Sequence, residues 1–123
     1  FKTCDIITIH LPLTDKTKNL ITKDLLDLMP QTSILINAAR GKIVNEQDLY
    51  ATLKGGKILG AGFDVFEEEP LSTSSPLRTL PNIVLTPHLG GSTEEAQFRV
   101  GEMAVHQLKE FFIHNNLLNE VIR

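Results

Sequence analysis

The segment SILINAARGKIVNEQDLYATLKGGKILGAGFDVF, residues 33–66, contains two apolar runs separated by an amphipathic stretch. The runs at 33–38 and 58–66 are short and bounded by polar residues or glycine, which predicts two strands. Between them, Asn45 is a typical N-cap residue, and apolar side chains at helical spacing predict a helix over 46–54. Continuous apolar strands joined through a helix are typical of a parallel sheet, so the sequence predicts the α/β class.

The remainder of the chain continues the same alternation of strands and helices. We predict strands at 6–11 and 83–86, a short helix at 23–29 capped by Thr22, an irregular loop at 67–81, and a long amphipathic helix at 92–114 that begins at the capping box of Ser92 and Glu95.

Composition excludes several classes of protein. At 123 residues with 41% hydrophobic and 22% charged side chains, the chain is sized for one folded domain. A net charge of −3 without long single-sign runs argues against nucleic-acid or anionic-lipid binding, and no apolar stretch is long enough to span a membrane. Cys4 is the single cysteine and is expected in the core; this cysteine usage favours a reducing compartment, the cytoplasm, and no metal site.

Polar residues follow each predicted strand, at the sheet edge where open parallel sheets bind ligands. Four groups occupy this edge, namely His10, the stretch 37–41, Asp64 with the acidic run 67–69, and the stretch 86–88. Taken singly, each also fits a simpler interpretation as a solvated turn, an acidic surface loop or a structural histidine. Gly41 after Arg40 indicates a close backbone approach that a side chain would block.

Other residues favour structural roles. Gly60 and Gly62 do not form a dinucleotide-binding fingerprint, because Val65 occupies the third glycine's place and no helix follows. On the long helix, the histidines are expected at the surface, and Met103, Phe111 and Phe112 are expected in a core or an interface.

In combination, NAARGKIVNEQDLYATLKGGKILGAGFDVFEEEPL at 37–71 and PNIVLTPHLGGSTEEAQ at 81–97 closely resemble the D-isomer-specific 2-hydroxyacid dehydrogenase family. Within that family the resemblance is greatest to the phosphoglycerate dehydrogenases, and glyoxylate or hydroxypyruvate reductases are similar enough to stay open. The resemblance implies the second half of a Rossmann-like, doubly wound parallel sheet, an NAD cofactor with NADP not excluded, and a small 2-hydroxy or 2-keto acid substrate.

The resemblance also implies site residues. The implied catalytic set is Arg40, Glu69 and His88, and Asp64 matches an aspartate that hydrogen-bonds the nicotinamide amide. The implied cofactor-binding residues are Ala38, Ala39, Arg40, Asp64, His88, Gly90 and Gly91.

The proposed chemistry explains these residue types independently. An imidazole at His88 can take the hydroxyl proton as hydride leaves carbon two, and can return it in reverse. A carboxylate at Glu69 would favour the imidazolium and hold one ring tautomer. The planar guanidinium of Arg40 can bind a carboxylate and a carbonyl at once.

The family's pyrophosphate-binding GxGxxG turn does not occur in this sequence. We therefore expect residues 1–123 to be the C-terminal half of an NAD-binding domain, cut from a longer sequence, with 92–114 leading back to a substrate domain. Such a chain is expected to be inactive alone and to self-associate, which predicts a homo-oligomer. The alternative is a non-catalytic NAD-binding or partner-docking module of the same fold.

Overall fold

A computed structural model describes residues 1–119 of the chain, and it divides into two compact units, one of residues 1–88 and one that begins at Leu89. The first unit is built on a four-stranded sheet in which neighbouring strands run parallel and follow chain order. Its strands are β1 (Ile6–Ile9), β2 (Ile34–Asn37), β3 (Gly60–Phe63) and β4 (Ile83–Leu85). The predicted α/β class and parallel sheet are confirmed.

Two helices connect the strands of this sheet. They are α1 (Lys23–Leu26) and α2 (Glu46–Lys54), and a short 3-10 helix at Pro76–Thr79 lies in the segment predicted as an irregular loop. The N-cap of α2 is as predicted, because the Asn45 side chain accepts a hydrogen bond of 3.0 Å from the Asp48 backbone N–H.

The core of the first unit lies where apolar faces of the helices meet the sheet. Leu35 of β2 and Phe63 of β3 pack in one cluster with Leu26 of α1 and with Leu49 and Leu53 of α2. In β2 and β3 alternate residues are buried and the intervening ones are half-buried. At β2 and β3 one face of the sheet is therefore fully covered and the other partly covered, whereas continuous apolar runs predict cover on both faces.

The elements are shorter than the sequence predicts. Helix α1 ends at Leu26 because only the Asp27 N–H continues the helical bonding, to Lys23. The N–H groups of Leu28 and Met29 bond three residues back in tighter turns ahead of Pro30. The Thr22 side chain does not cap this helix; instead the Lys23 backbone N–H donates to the Asp48 carboxylate at 2.9 Å. The strands are also shorter than predicted, since backbone pairing covers only three or four residues in each.

The second unit contains the long helix α3 (Glu94–His114). Its N-cap is Thr93 rather than Ser92, because the Thr93 hydroxyl accepts from the Ala96 backbone N–H at 3.1 Å. No residue of α3 is buried, and the predicted core or interface residues Met103, Phe111 and Phe112 are exposed, so they are not core. Whether they form an interface stays a prediction.

Two further observations concern the surface. Cys4 is exposed, which corrects its expected place in the core, because it precedes β1 and lies outside the sheet. Among the helices of residues 1–119, none combines the length and the apolar character that a membrane span requires.

Candidate active site

The carboxyl ends of the four strands are level with one another. Ile9 pairs with Asn37, Asn37 with Phe63, and Phe63 with Leu85, so these four residues form one row across the sheet. The residues that follow the row therefore begin at the same sheet edge; they are His10, Ala38, Asp64 and Thr86. This register explains how stretches far apart in sequence supply one candidate site.

The clearest contact at this edge joins Glu69 and His88. The Nδ1 atom of His88 lies 2.7 Å from Oε2 of Glu69, which is the contact expected from the sequence. An ionised carboxylate only accepts hydrogen bonds, so Nδ1 carries a proton, and in the neutral ring Nε2 is the nitrogen with the free lone pair. The two side chains are 47% and 35% exposed for His88 and Glu69, so a small molecule in solution can reach them.

A second hydrogen bond fixes the Glu69 carboxylate. Its Oε1 atom accepts from the Phe66 backbone N–H at 3.0 Å. The hydrogen bond with His88, followed by that from Phe66, lowers the pKa of Glu69 below its usual 4.5, while desolvation and the nearby Asp64 charge oppose the change. Glu69 is therefore an anion at neutral pH, with both oxygens engaged.

His88 itself has an unusual backbone conformation. Its φ angle is 55°, in the left-handed region that side-chain-bearing residues visit rarely. The preceding Pro87 fixes the backbone that enters this turn.

Arg40 lies in the loop after β2, and its position depends on Asn37. The Asn37 side chain, 1% exposed, donates from Nδ2 to the Arg40 carbonyl at 3.0 Å and accepts at Oδ1 from the Ala39 N–H at 3.1 Å. The Arg40 side chain is exposed, and its Nη1 donates to the Ala39 carbonyl at 2.7 Å. Within residues 1–119 the other guanidinium nitrogens make no hydrogen bond or ion pair, which suits a group that binds an anion.

The loops after β2 and β3 touch at Gly41. A Cβ atom on Gly41 would lie 1.7 Å from the Phe66 carbonyl oxygen, a distance that no side chain can occupy. The close backbone approach predicted at Gly41 is therefore confirmed.

Asp64 and Thr86 link the ends of β3 and β4. Asp64 is 9% exposed, and its Oδ1 accepts a hydrogen bond from the Thr86 hydroxyl at 2.5 Å. The Thr86 backbone N–H also donates to the Phe63 carbonyl at 2.9 Å. These bonds fix the Asp64 carboxylate at the sheet edge, between the ends of β3 and β4.

The catalytic side chains expected from the sequence line two separate hollows. One is lined by Arg40 with Ala38, Ala39, His10, Leu11 and Pro12. The other contains Glu69 and His88 with Phe66, Pro70, Leu71 and Pro87. Within residues 1–119, Arg40 makes no hydrogen bond or ion pair with Glu69 or His88, so a ligand that used all three would bridge the hollows.

Gly90 and Gly91 belong to the second unit. The Gly91 carbonyl accepts from Nε2 of Gln97 at 2.8 Å, and a Cβ on Gly91 would meet nothing within 4 Å. Their place in a cofactor site stays a prediction.

The sequence located Asn37 and Thr86 at this edge but assigned neither a role, and both hold the site in the structure. The signal at Asn37 was an amide at the end of an apolar run, followed by two small residues that leave room for a side-chain turn. Thr86 carried no signal that separates it from an ordinary strand residue. In the described part of the chain, no His, Cys, Asp and Glu side chains cluster closely enough to hold a metal ion.

Comparison with known protein families adds the chemical context. The sequence model described as "D-isomer specific 2-hydroxyacid dehydrogenase, NAD binding domain" matches residues 1–90. Among curated proteins, a D-3-phosphoglycerate dehydrogenase of Methanocaldococcus jannaschii is 48% identical over 109 residues, or 89% of this chain. A glyoxylate/hydroxypyruvate reductase B of Serratia proteamaculans is 51% identical over 104 residues, or 85% of this chain.

A solved structure resembles the chain as well. It is the NADPH-dependent glyoxylate/hydroxypyruvate reductase of Sinorhizobium meliloti in complex with NADP and malonate, with a TM-score of 0.88 and 32% identity over 98% of this chain. The chain spans 21% and 32% of the length of the two curated relatives and 37% of this solved chain.

Proposed function

This chain belongs to the D-isomer specific 2-hydroxyacid dehydrogenase family, and on that premise we propose that it carries the proton-transferring and substrate-binding side chains of an NAD-dependent dehydrogenase. The observation that supports this most directly is the 2.7 Å contact between Glu69 and His88 at the carboxyl edge of the sheet. It joins an imidazole to an anion at the place where open parallel sheets bind their ligands.

His88 transfers the proton in the proposed reaction. Oxidation of a 2-hydroxy acid removes the hydroxyl hydrogen as a proton and the hydrogen on carbon two as a hydride. A bound nicotinamide supplies the hydride acceptor, or in its reduced form the donor. Nε2 of His88 takes the hydroxyl proton during oxidation and returns it to the carbonyl oxygen during reduction.

Glu69 acts on the same step through the ring of His88. Its carboxylate holds the proton of Nδ1, so that Nε2 is the atom that exchanges a proton with substrate. The negative charge also stabilises the imidazolium that forms when Nε2 accepts a proton. Because Phe66 fixes the second carboxylate oxygen, the ring has one preferred orientation.

Arg40 binds and orients the substrate in this proposal. Its exposed guanidinium presents parallel N–H donors, which match the carboxylate and the adjacent oxygen of a 2-hydroxy or 2-keto acid. The side-chain bonds of Asn37 fix the backbone from which this guanidinium extends.

The residues at the sheet edge fit the nicotinamide end of a dinucleotide. The side chains at Ala38 and Ala39 are small and leave the hollow beside Arg40 open to a flat ring. We propose that the Asp64 carboxylate accepts a hydrogen bond from the amide group, and that His88, Gly90 and Gly91 complete the binding surface. NAD is the proposed cofactor, and NADP is the alternative because the solved relative holds NADP.

Two substrate classes have support. The Methanocaldococcus relative favours a 3-phosphoglycerate-like acid, whereas the Serratia and Sinorhizobium relatives favour glyoxylate or hydroxypyruvate. We propose the phosphoglycerate type first, on the resemblance of the TPHLGGSTEEAQ stretch at 86–97.

The proposed setting is a larger enzyme. Residues 1–123 would form the C-terminal half of its NAD-binding domain, with α3 leading toward a substrate domain, in a homo-oligomer in the cytoplasm. The chain by itself would be inactive, because the pyrophosphate-binding turn is not in its sequence.

The test is an activity assay on the natural polypeptide that contains this chain. Loss of NADH or NADPH absorbance is followed with phosphohydroxypyruvate, hydroxypyruvate and glyoxylate as separate substrates. We expect turnover with at least one substrate, and the preferred one decides between the two classes. Tight cofactor binding without turnover of any 2-keto acid would favour the binding-module alternative.

The pH profile then tests Glu69. In Glu69→Gln the enzyme should stay active, and the pH dependence of oxidation should move toward lower pH, because the imidazolium loses its negative partner and the free base forms earlier. A profile that stays in place or moves upward would contradict the role of Glu69.

A further inference from the structure

The backbone contact between Gly41 and the loop after β3 joins the two parts of the candidate site. A Cβ on Gly41 would lie 1.7 Å from the Phe66 carbonyl oxygen, 2.4 Å from its carbon and 3.1 Å from the Glu67 nitrogen. All three are backbone atoms, so no side-chain rotation could make room. One of the two loops would have to move.

The Phe66–Glu67 peptide is also held from its other side. The Glu67 backbone N–H donates to Oε1 of Glu46 at 2.6 Å, and the Glu46 backbone N–H donates to Oε1 of Glu67 at 3.0 Å. Because Glu46 is the first residue of α2, these reciprocal bonds tie the peptide to a helix. The peptide therefore lies between a steric contact at Gly41 and two hydrogen bonds at Glu46.

The same peptide is the start of the segment that carries Glu69. The Phe66 backbone N–H donates to Oε1 of Glu69, and Oε2 of Glu69 contacts His88. A shift of Phe66 would lengthen the first of these bonds and rotate the carboxylate, which would change the second. The ring orientation of His88 thus depends on where Phe66 lies.

On the opposite side of the contact, Gly41 directly follows Arg40. The loop cannot easily retreat from Phe66, because the buried Asn37 side chain holds both Ala39 and the Arg40 carbonyl. Asn37 is also tied to β3, since its backbone carbonyl accepts from the Asp64 N–H at 3.0 Å.

We propose that Gly41 is a positioning residue whose missing side chain sets the spacing between the Arg40 loop and the Glu69–His88 pair. The inference rests on the proposed function for its catalytic meaning, since it concerns groups assigned there to substrate binding and proton transfer. Gly41 contacts neither of the reacting groups and acts through the Phe66–Glu67 peptide.

The experiment compares Gly41→Ala with Gly62→Ala. Gly62 lies in β3, and a Cβ there would meet nothing within 4 Å, so it controls for the effect of a methyl group on this sheet. In this chain, carbon-13 NMR of the Glu69 carboxylate gives its pKa directly. Gly41→Ala should raise the pKa of Glu69 toward its usual value, because the hydrogen bonds from Phe66 and His88 lengthen; Gly62→Ala should leave it unchanged.

Activity is measured in the natural polypeptide that contains this chain. Gly41→Ala should reduce kcat/KM by about 10- to 100-fold, with both kcat and KM affected. The reacting groups remain present in this variant, but they are misplaced, and misplacement lowers the rate. Gly62→Ala should keep wild-type kinetics. If the unaltered protein reduces no 2-keto acid, the proposed function fails, while the Glu69 measurement still decides the role of Gly41.

A second variant covers the case in which Gly41→Ala does not fold. Glu46→Ala removes the acceptor of the Glu67 N–H and frees the same peptide, so it should raise the pKa of Glu69 in the same direction. Glu46→Gln keeps an acceptor oxygen and should restore the unaltered value. The inference is overturned if Gly41→Ala folds with reduced stability but with an unchanged Glu69 pKa and unchanged kinetics, or if Glu46→Ala leaves the carboxylate unaffected.

Discussion

The loops after β2 and β3 carry the candidate site together but are held by different kinds of interaction. The loop with Arg40 is fixed by a neutral amide, that of Asn37, and by a steric contact at Gly41. The loop with Glu69 is fixed by carboxylates that accept backbone and imidazole hydrogen bonds. The first arrangement does not depend on pH, whereas the second depends on which groups are ionised.

Two carboxylates that hold the second loop, Glu69 within it and Glu46 at the start of α2, have pKa values shifted in opposite directions. Bonds from His88 and Phe66 lower the pKa of Glu69, but burial raises the pKa of Glu46, assisted by the Glu67 charge. As the pH falls, the Glu69 contacts weaken, while protonation relieves the burial cost of Glu46. Arg40, to which we assign substrate binding, thus lies on a loop whose fixing contacts do not change with pH. The Glu69–His88 pair, to which we assign proton transfer, lies on a loop whose fixing contacts do.

The largest effect is expected where the proton is transferred. In the natural polypeptide, His88→Gln should lower kcat by about 10²- to 10⁴-fold, because general acid–base catalysis is lost. Cofactor affinity should be nearly unchanged, since a glutamine keeps the polar surface. His106→Gln on α3 is the matched control. Steady-state kinetics with fluorescence titration of NADH measure both quantities, and a loss below tenfold would move proton transfer to another residue.

The next largest effect should come from the pH-independent loop. Arg40→Lys keeps the charge but loses the planar pair of donors, so kcat/KM for the acid substrate should fall by about 10- to 100-fold at every pH tested. Arg99→Lys on α3 is the control. A loss that varied strongly with pH would mean that the contacts fixing the Arg40 loop also depend on which groups are ionised.

Asn37 tests how the same loop is fixed. Asn37→Ala leaves the Ala39 N–H and the Arg40 carbonyl without their side-chain partner, so the free energy of unfolding should fall by about 1–3 kcal/mol. The half-buried Asn82, which makes one bond to Leu53, provides a graded control, and Asn82→Ala should cost less. Urea denaturation of this chain measures both values, and equal losses would contradict the role of Asn37.

The smallest effect concerns acid stability. Because the folded-state pKa of Glu69 is lowered, its contribution to stability is present above about pH 4.5 and is lost as the pH falls through the folded value. In Glu69→Gln, stability should therefore decline less steeply in acid, by at most about 1 kcal/mol for so exposed a pair. Glu68→Gln removes the same charge beside it and is the control. If the free energy of unfolding falls in acid equally in the two variants, the Glu69–His88 pair does not stabilise the fold.

Much of the fold and of the candidate site could be predicted from the sequence, and what could not be predicted has physical causes. Apolar runs located all four strands, and the parallel arrangement then brought Arg40 and His88 to one edge, because strand direction alone decides where loops emerge. The Gly41 approach was predictable because a glycine, which has no Cβ, lets two backbones approach closely.

What the sequence did not reveal were bonds between side chains and distant backbone. Glu46 and Glu67 are 21 residues apart, and Asp48 contacts Lys23 across 25, so no local pattern marks either pair. The N-cap of α3 was also ambiguous in the sequence, because Ser92 and Thr93 are adjacent and chemically equivalent. In the structure the N-cap is Thr93. The exposure of Phe111 and Phe112 could not be predicted because amphipathic spacing identifies a face without identifying what covers it.

The left-handed backbone of His88 has a consequence for how such a domain evolves. A residue with a Cβ has a conformational cost of about 1 kcal/mol at this φ, which a glycine would avoid. Selection for thermal stability alone would therefore favour the loss of the histidine, whereas selection for turnover would retain it. Mutational libraries screened for folding and for activity should diverge at this position, with one enriching glycine and the other excluding it.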